Sequence, residues 1–162
     1  MLDDCIQAYG QRLFALCCKL CQNRPDAEDL YQETWLRAYQ KSRRLAEVED
    51  QAGYIARICI NVFRDGLRRK KLAGFFSLSS EAAQGYVDSR VHAPPPEAGE
   101  GDRLVRQAVD SLKEPYRTAA ILYYFEDQSV EKAARLLDVP PGTMKSRLAR
   151  ARAALKEMLQ DG

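Results

Sequence analysis

Apolar residues recur at the period of an α-helix along most of this chain, and no stretch alternates as a half-buried strand would. Ile6, Leu13, Cys17 and Leu20 follow one another at intervals of seven, four and three, a single apolar stripe. This first helix is expected to break at Asn23-Arg24-Pro25. Asp26 then suits an N-cap, with Asp29 in the first turn, where acidic side chains complement the helix dipole. The second helix is predicted to run to about Arg43, burying Ala27, Leu30, Tyr31, Trp35 and Ala38. A polar stretch over 44–53 leads into a third helix over Tyr54–Lys71, whose inner stripe is Ile55, Ile58, Cys59 and Val62.

The period then disappears. Residues 72–101 collect Ser77, Ser79, Ser80 and the triplet Pro94-Pro95-Pro96, the composition of a tether rather than of a packed element. Helical spacing returns with Leu104, Val105, Val109 and Leu112, and Pro115 opens another helix through Phe125. From Ser129 onward a short amphipathic helix (Val130, Ala133, Ala134, Leu137), a turn and a longer basic helix follow with almost no spare residues. That is the layout of a helix-turn-helix, whose second helix enters the DNA major groove. The expected fold class is all-α: two small helical domains over 1–71 and 102–162, joined by a flexible linker over 72–101.

Charge sharpens this picture. The formal net charge of the 162 residues is only +2, yet the basic residues are segregated. Arg64, Arg68, Arg69, Lys70 and Lys71 form one island, and Lys145, Arg147, Arg150, Arg152 and Lys156 form another. Acidic residues dominate the tether between them. Two basic islands fit two contact points on one polyanion. No apolar run approaches the length of a membrane span, and the first residues lack the pattern of an export signal, so a cytoplasmic protein is expected. The five cysteines are odd in number and sit mostly at helical core spacing, which reads as reduced, buried thiols. A redox or metal role for Cys17, Cys18 and Cys21 is the alternative; the one histidine, His92, lies far off in the tether.

Three faces carry candidate chemistry. On the last helix, Met144, Leu148, Ala151, Leu155 and Met158 form an inward stripe. Ser146 and Arg150 lie near the opposite pole, flanked by Thr143, Lys145, Arg147, Arg152 and Lys156. Arg147 and Arg150 suit guanine, because a planar guanidinium bonds O6 and N7 together. On the third helix, Arg57, Asn61, Arg64 and Arg68 are spaced four, three and four apart and so share one face, able to grip phosphates and test a base edge. On the second helix, Asp26, Asp29, Gln32 and Glu33 share an exposed acidic face. Such a face repels DNA and fits a basic protein partner.

These residues resemble a known family. Asp26-Ala-Glu-Asp-Leu-Tyr-Gln-Glu-Thr-Trp-Leu-Arg-Ala-Tyr39 closely resembles the polymerase-binding helix of bacterial RNA polymerase sigma factors of the extracytoplasmic-function group. The segment Tyr54–Lys71 resembles their −10 promoter helix. Leu112–Arg117, with Gly142–Leu155, resembles their −35 reader. The match covers both domains in the family's order. The resemblance implies that Asp29, Gln32 and Glu33 dock on the clamp coiled coil of the β′ subunit of core RNA polymerase. It implies that Arg57, Asn61, Arg64 and Arg68, with the 44–53 loop, engage the −10 element and hold one strand. Thr143, Lys145, Ser146, Arg147 and Arg150 would then contact the −35 element of promoter DNA. An anti-sigma factor is the implied regulatory partner.

Two departures from the family pattern stand out. Asp138 occupies the turn position where the family has a glycine, and Pro140-Pro141 stiffens the approach to the last helix. The rival readings are a stand-alone helix-turn-helix regulator and the cysteine-based sensor. No catalytic set, cofactor motif, metal site or small-molecule substrate is implied.

Overall fold

The computed structural model describes residues 2–76, 100–126 and 128–160. The chain divides into two compact helical units. The first contains α1 (Leu2–Leu20), α2 (Arg24–Gln40), α3 (Ser42–Glu47) and α4 (Gln51–Phe76). The second contains α5 (Glu100–Asp110), α6 (Tyr116–Ala120), α7 (Val130–Leu137) and α8 (Pro141–Gln160), with a π-helical turn over Ile121–Phe125 continuing α6.

In the first unit α1, α2 and α4 pack on one another around a common core. Leu13, Leu16, Cys17 and Leu20 of α1 meet Ala27, Leu30, Trp35 and Ala38 of α2 and Ile55, Ile58, Cys59, Ile60 and Val62 of α4, all buried. Burying each large aliphatic side chain removes about 1.5–3 kcal/mol of hydrophobic cost, so this shared core sets the order of the three helices. Ile6, expected on the stripe, remains 36% exposed. The α1–α2 approach is close at one point: a side-chain carbon on Gly10 would stand 3.1 Å from the Tyr31 hydroxyl. Tyr31, half-buried, makes edge-to-face contacts with Phe14 and Trp35, ring centroids 5.4 and 6.1 Å apart. Thr34 is fully buried and donates its hydroxyl proton to the Leu30 carbonyl at 2.7 Å, the bond that makes a polar side chain tolerable there.

Three boundaries differ from the sequence expectation. The N-cap of α2 is Asn23, not Asp26: the Asn23 side-chain oxygen accepts from the Asp26 backbone N–H at 2.8 Å. Asn23 has the extended backbone that a cap requires, and Pro25 fills a first-turn position where its missing N–H costs nothing. Asp26 closes the cap by accepting from the Asn23 amide at 2.8 Å. The stretch over 44–53 is not simply a loop. Leu45, 0% exposed, anchors the short helix α3 against its neighbours, and one buried leucine in a polar run is too little signal to read in advance. Finally, α4 extends beyond both expected ends. It starts three residues early, where Asp50 accepts from the Gly53 N–H at 3.0 Å, and it runs five residues past Lys71.

In the second unit α5, α6 and α7 pack against α8. Ala108, Val109 and Leu112 are buried, whereas Leu104 and Val105, expected in the same core, are 55% and 38% exposed. They lie one to two turns before the packed part of α5. Arg117 is 3% exposed; its guanidinium meets Asp110 at 3.2 Å and Glu114 at 3.5 Å. A buried cation needs such partners, since desolvation alone would cost several kcal/mol. Thr118 adds a hydroxyl bond to Glu114 at 2.5 Å, so two carboxylates fix the start of α6.

Ser129 caps α7, accepting from the Lys132 N–H at 3.1 Å. Asp138 ends the helix in the left-handed conformation, φ 56° and ψ 48°. The family's glycine position is therefore a true left-handed turn, occupied by one of the few other residues that tolerate it. Pro141 is the first residue of α8. Met144, Leu148 and Ala151 are buried as expected; Leu155 is half-buried, and Met158 is 40% exposed, its sulfur 3.1 Å from the Ser111 hydroxyl. The inward stripe is thus satisfied for two turns and frays toward the C-terminal end.

Most of the expected tether, including His92 and the proline triplet, lies outside the described residues, but its two ends, 72–76 and 100–101, are helical. Among the described residues no helix is long and apolar enough to cross a membrane.

Candidate nucleic-acid and partner interfaces

The acidic face of α2 is formed by turns of one side of the helix. Asp29 and Gln32 are exposed and Glu33 is half-buried. Leu36 and Tyr39, 53% and 64% exposed, lie on the same side, at helical spacings of seven and ten from Asp29. The surface is therefore an acidic ridge with an apolar end. Sequence reasoning passed over both apolar residues. Their signal was available: each falls off the buried stripe Ala27, Leu30, Trp35, Ala38, so helical geometry obliges them to face water. Asp26 does not join this ridge as an open acid, since Asn23 and Lys70 (Nζ–Oδ2 3.3 Å) occupy its carboxylate.

A chain of charges runs from this ridge to the basic face of α4. Glu33 accepts from Arg37 Nε at 3.3 Å, and Arg37 Nη1 reaches Asp65 Oδ2 at 3.8 Å. Asp65 Oδ1 stands 3.8 Å from Arg68 Nη1. Each pair is partly exposed and worth at most about 1 kcal/mol by itself. The effect on orientation is clearer: Asp65 holds Arg68 from within the α4 face.

On that face Arg57, Asn61 and Arg68 are exposed and Arg64 is half-buried. Ile55, Ile58, Cys59 and Val62 hold the opposite side of α4 in the core, so the four polar residues are presented as one row. The 44–53 segment assigned beside it presents the helix α3 rather than a free loop.

On α8 the outward side carries Lys145, Ser146 and Arg150, all exposed, with Thr143 and Arg147 half-buried at its edge. The arginines here are not loose. Arg150 Nη1 donates to the Tyr116 hydroxyl at 2.9 Å, with the guanidinium 6.0 Å from the ring centroid. Arg152 Nε donates to the Tyr124 hydroxyl at 2.6 Å and lies 5.5 Å from the Tyr123 ring. Bonding to Tyr124 holds the Arg152 guanidinium above its ordinary range. The π-helical turn explains the reach of these tyrosines. Its wider repeat, seen in the Glu126 N–H to Ile121 carbonyl bond at 3.1 Å, rotates Tyr123 and Tyr124 toward α8 while Ile121 and Leu122 stay buried. No sequence rule on helical spacing would have paired residues about thirty positions apart, so all three tyrosines went unread.

The cysteines are partitioned by burial. Cys5, Cys17, Cys21 and Cys59 are buried and Cys18 is half-buried; all five are free thiols. Cys17 and Cys59 approach to 3.7 Å between sulfurs, within the core rather than at a surface. Among the described residues no group of three or more histidine, cysteine or acidic side chains is placed to hold a metal ion.

Residues 5–72 match Sigma-70 region 2, and residues 102–155 match Sigma-70, region 4. The chain is 27% identical to the ECF RNA polymerase sigma factor SigW of Bacillus subtilis, over 98% of this chain and 88% of that protein. It is 30% identical to the ECF RNA polymerase sigma factor EcfG of Rhodopseudomonas palustris, over 98% of this chain and 84% of that one. Its structure is similar to that of the sigma factor RpoE of Bartonella quintana, solved with the anti-sigma factor NepR: TM-score 0.78, 27% identity, covering 98% of this chain and 96% of the other. With both sigma regions present in order, and with relatives of this similarity along nearly its whole length, the chain belongs to the extracytoplasmic-function group of RNA polymerase sigma factors, non-enzymatic proteins that direct transcription initiation.

Proposed function

We propose a division of this sigma activity among three surfaces. Asp29, Gln32 and Glu33 on α2 dock on the basic clamp coiled coil of the polymerase β′ subunit, with Leu36 and Tyr39 supplying the apolar part of the contact. Arg57, Asn61, Arg64 and Arg68 on α4 engage the −10 element. Thr143, Lys145, Ser146, Arg147 and Arg150 contact the −35 element as duplex, Arg147 and Arg150 being the guanine readers. The functional boundaries follow as 1–71 for polymerase and −10 contacts, 72–101 for the connection, and 102–162 for −35 recognition. The work is done in the cytoplasm, where polymerase and chromosome are found.

The observation that carries this reading is the segregation of chemistry by helix face. One helix turns carboxylates and apolar side chains outward, while α4 and α8 turn arginines outward from well-packed inner stripes. A protein that must hold a protein partner and DNA at once needs these surfaces kept apart, because each repels the other's ligand. The similar sigma factor of Bartonella quintana forms a complex with an anti-sigma factor, and that supports an anti-sigma partner for this chain as well.

The test is reconstitution with core polymerase of the host and run-off transcription on genomic fragments, followed by footprinting. Protection at both promoter elements is expected with the wild-type chain. Reversing charge at Asp29 and Glu33 is expected to abolish both footprints together, whereas Arg150→Ala weakens the upstream one selectively. Footprints by the chain without polymerase, as strong as with it, would favour the stand-alone regulator instead.

A further inference from the structure

We propose that Tyr116 is a positioning residue for −35 recognition: it holds the Arg150 guanidinium in the orientation that reads the base pair. The inference rests on the assignment of Arg150 to the −35 element. That assignment meets a physical difficulty. An arginine on the exposed side of a helix has many rotamers, and an ordered contact with a base edge requires all but one to be given up. The cost is smaller where the free protein already restricts them.

Tyr116 supplies that restriction. Its hydroxyl accepts from Arg150 Nη1 at 2.9 Å, and its ring lies 6.0 Å from the guanidinium carbon, within reach of a cation–π attraction. The tyrosine is itself firmly placed. It is half-buried and is the first residue of α6. The next residue, Arg117, is locked between Asp110 and Glu114, and Thr118 bonds Glu114 as well. A grip from so constrained a point is transmitted to Arg150 rather than absorbed by motion of the tyrosine.

The bond also leaves the reading edge intact. It uses one donor of Nη1 out of the five that a guanidinium carries. Nε and Nη2 together form the fork that matches guanine O6 and N7. The neighbouring Arg152, two residues on and gripped by Tyr124 and Tyr123, is held by different partners, so Tyr116 acts on Arg150 alone.

The experiment uses the full chain in holoenzyme and measures run-off from promoters carrying every base pair in turn at each −35 position. Four chains are compared: wild type, Tyr116→Phe, Arg150→Ala and the double variant. Tyr116→Phe keeps the ring and its packing, and removes only the acceptor. Its expected effect is a roughly three- to tenfold loss of preference at the same base pair that Arg150→Ala relaxes, with an unchanged melting temperature. In the Arg150→Ala background the tyrosine change should add nothing, which a general structural role would not produce. Wild-type preference in Tyr116→Phe beside relaxed preference in Arg150→Ala overturns the inference and leaves the −35 assignment standing. So does tighter discrimination in Tyr116→Phe, which would make the tyrosine a restraint that DNA must displace, and so does a full additional loss in the double variant. Unaltered preference in Arg150→Ala removes the −35 assignment of Arg150, and the inference falls with it.

Discussion

Cys17 of α1 and Cys59 of α4 face each other in the core of the first unit, their sulfurs 3.7 Å apart and both side chains fully buried. The hydrogen bond with Cys59, followed by burial, pushes the Cys17 thiol far above its ordinary value of about 9. The proton is thus favoured in the folded state. Below pH 9 both states hold it and the full stability is present; above pH 9 the unfolded chain releases it and the folded chain does not. Stability should therefore fall by about 1.4 kcal/mol per pH unit for this group alone. Urea melts of wild type and Cys17→Ala from pH 7.5 to 10 measure it: the variant should start lower by about 1–2 kcal/mol and decline less steeply. Parallel declines would assign the alkaline limit to other groups.

The α2 ridge predicts a distinction between its charges and its apolar end. Charge reversal at Asp29 and Glu33 should eliminate binding to core polymerase with the helical circular-dichroism signal unchanged. Leu36→Ala or Tyr39→Ala should weaken binding by about 1–3 kcal/mol, mainly through faster dissociation, as expected where apolar side chains lose water on docking. Surface plasmon resonance with immobilised core enzyme separates the two. A wild-type dissociation rate in Tyr39→Ala would remove that residue from the interface.

For the −35 contact, Arg150→Ala should cost about 1–3 kcal/mol and relax preference at one base pair. Lys145→Ala should instead weaken every sequence alike and reduce the salt slope by about one unit, because a phosphate contact carries no base information. Titrations of holoenzyme on matched and mismatched promoters at two salt concentrations distinguish these outcomes. Identical losses across all sequences for Arg150→Ala would place it on the backbone.

The left-handed turn offers a test on stability alone. Asp138→Gly should raise the stability of the second unit by about 0.5–1 kcal/mol, since glycine meets no side-chain penalty at φ 56°. Asp138→Val should lower it by more than 1 kcal/mol, roughly, because a β-branched side chain clashes in that conformation. Thermal melts rank the three; a wild type more stable than the glycine variant would show that the aspartate contributes a compensating contact.

Much of this was legible in the sequence. The buried stripe of α4 and the two-turn core of α8 follow from period alone, because a long helix with one apolar side has few ways to be packed. Asp138 was placed in the turn by the family resemblance, where a glycine is usual, and the left-handed backbone there gives that position its physical reason. What escaped reading was local competition. Asn23 takes the cap from Asp26 by geometry that composition does not rank, and α3 forms around Leu45, which is buried where α3 packs on α2 and α4. The tyrosine grips on Arg150 and Arg152 join residues 34 and 28 positions apart, and the grip on Arg152 also depends on a π-helical turn, which no local pattern encodes.

The row Glu33, Arg37, Asp65 and Arg68 has a bearing on how variants of this protein interact. Arg37 is shared: neutralising Glu33 releases it toward Asp65, and an Asp65 more fully engaged by Arg37 relaxes its hold on Arg68. Effects of changes at the two ends should then be epistatic, with a Glu33 and Arg68 double substitution departing from the sum of its parts. Genetic dissection of this sigma factor that treats its two faces as separable would mistake that crosstalk for overlap of their binding sites.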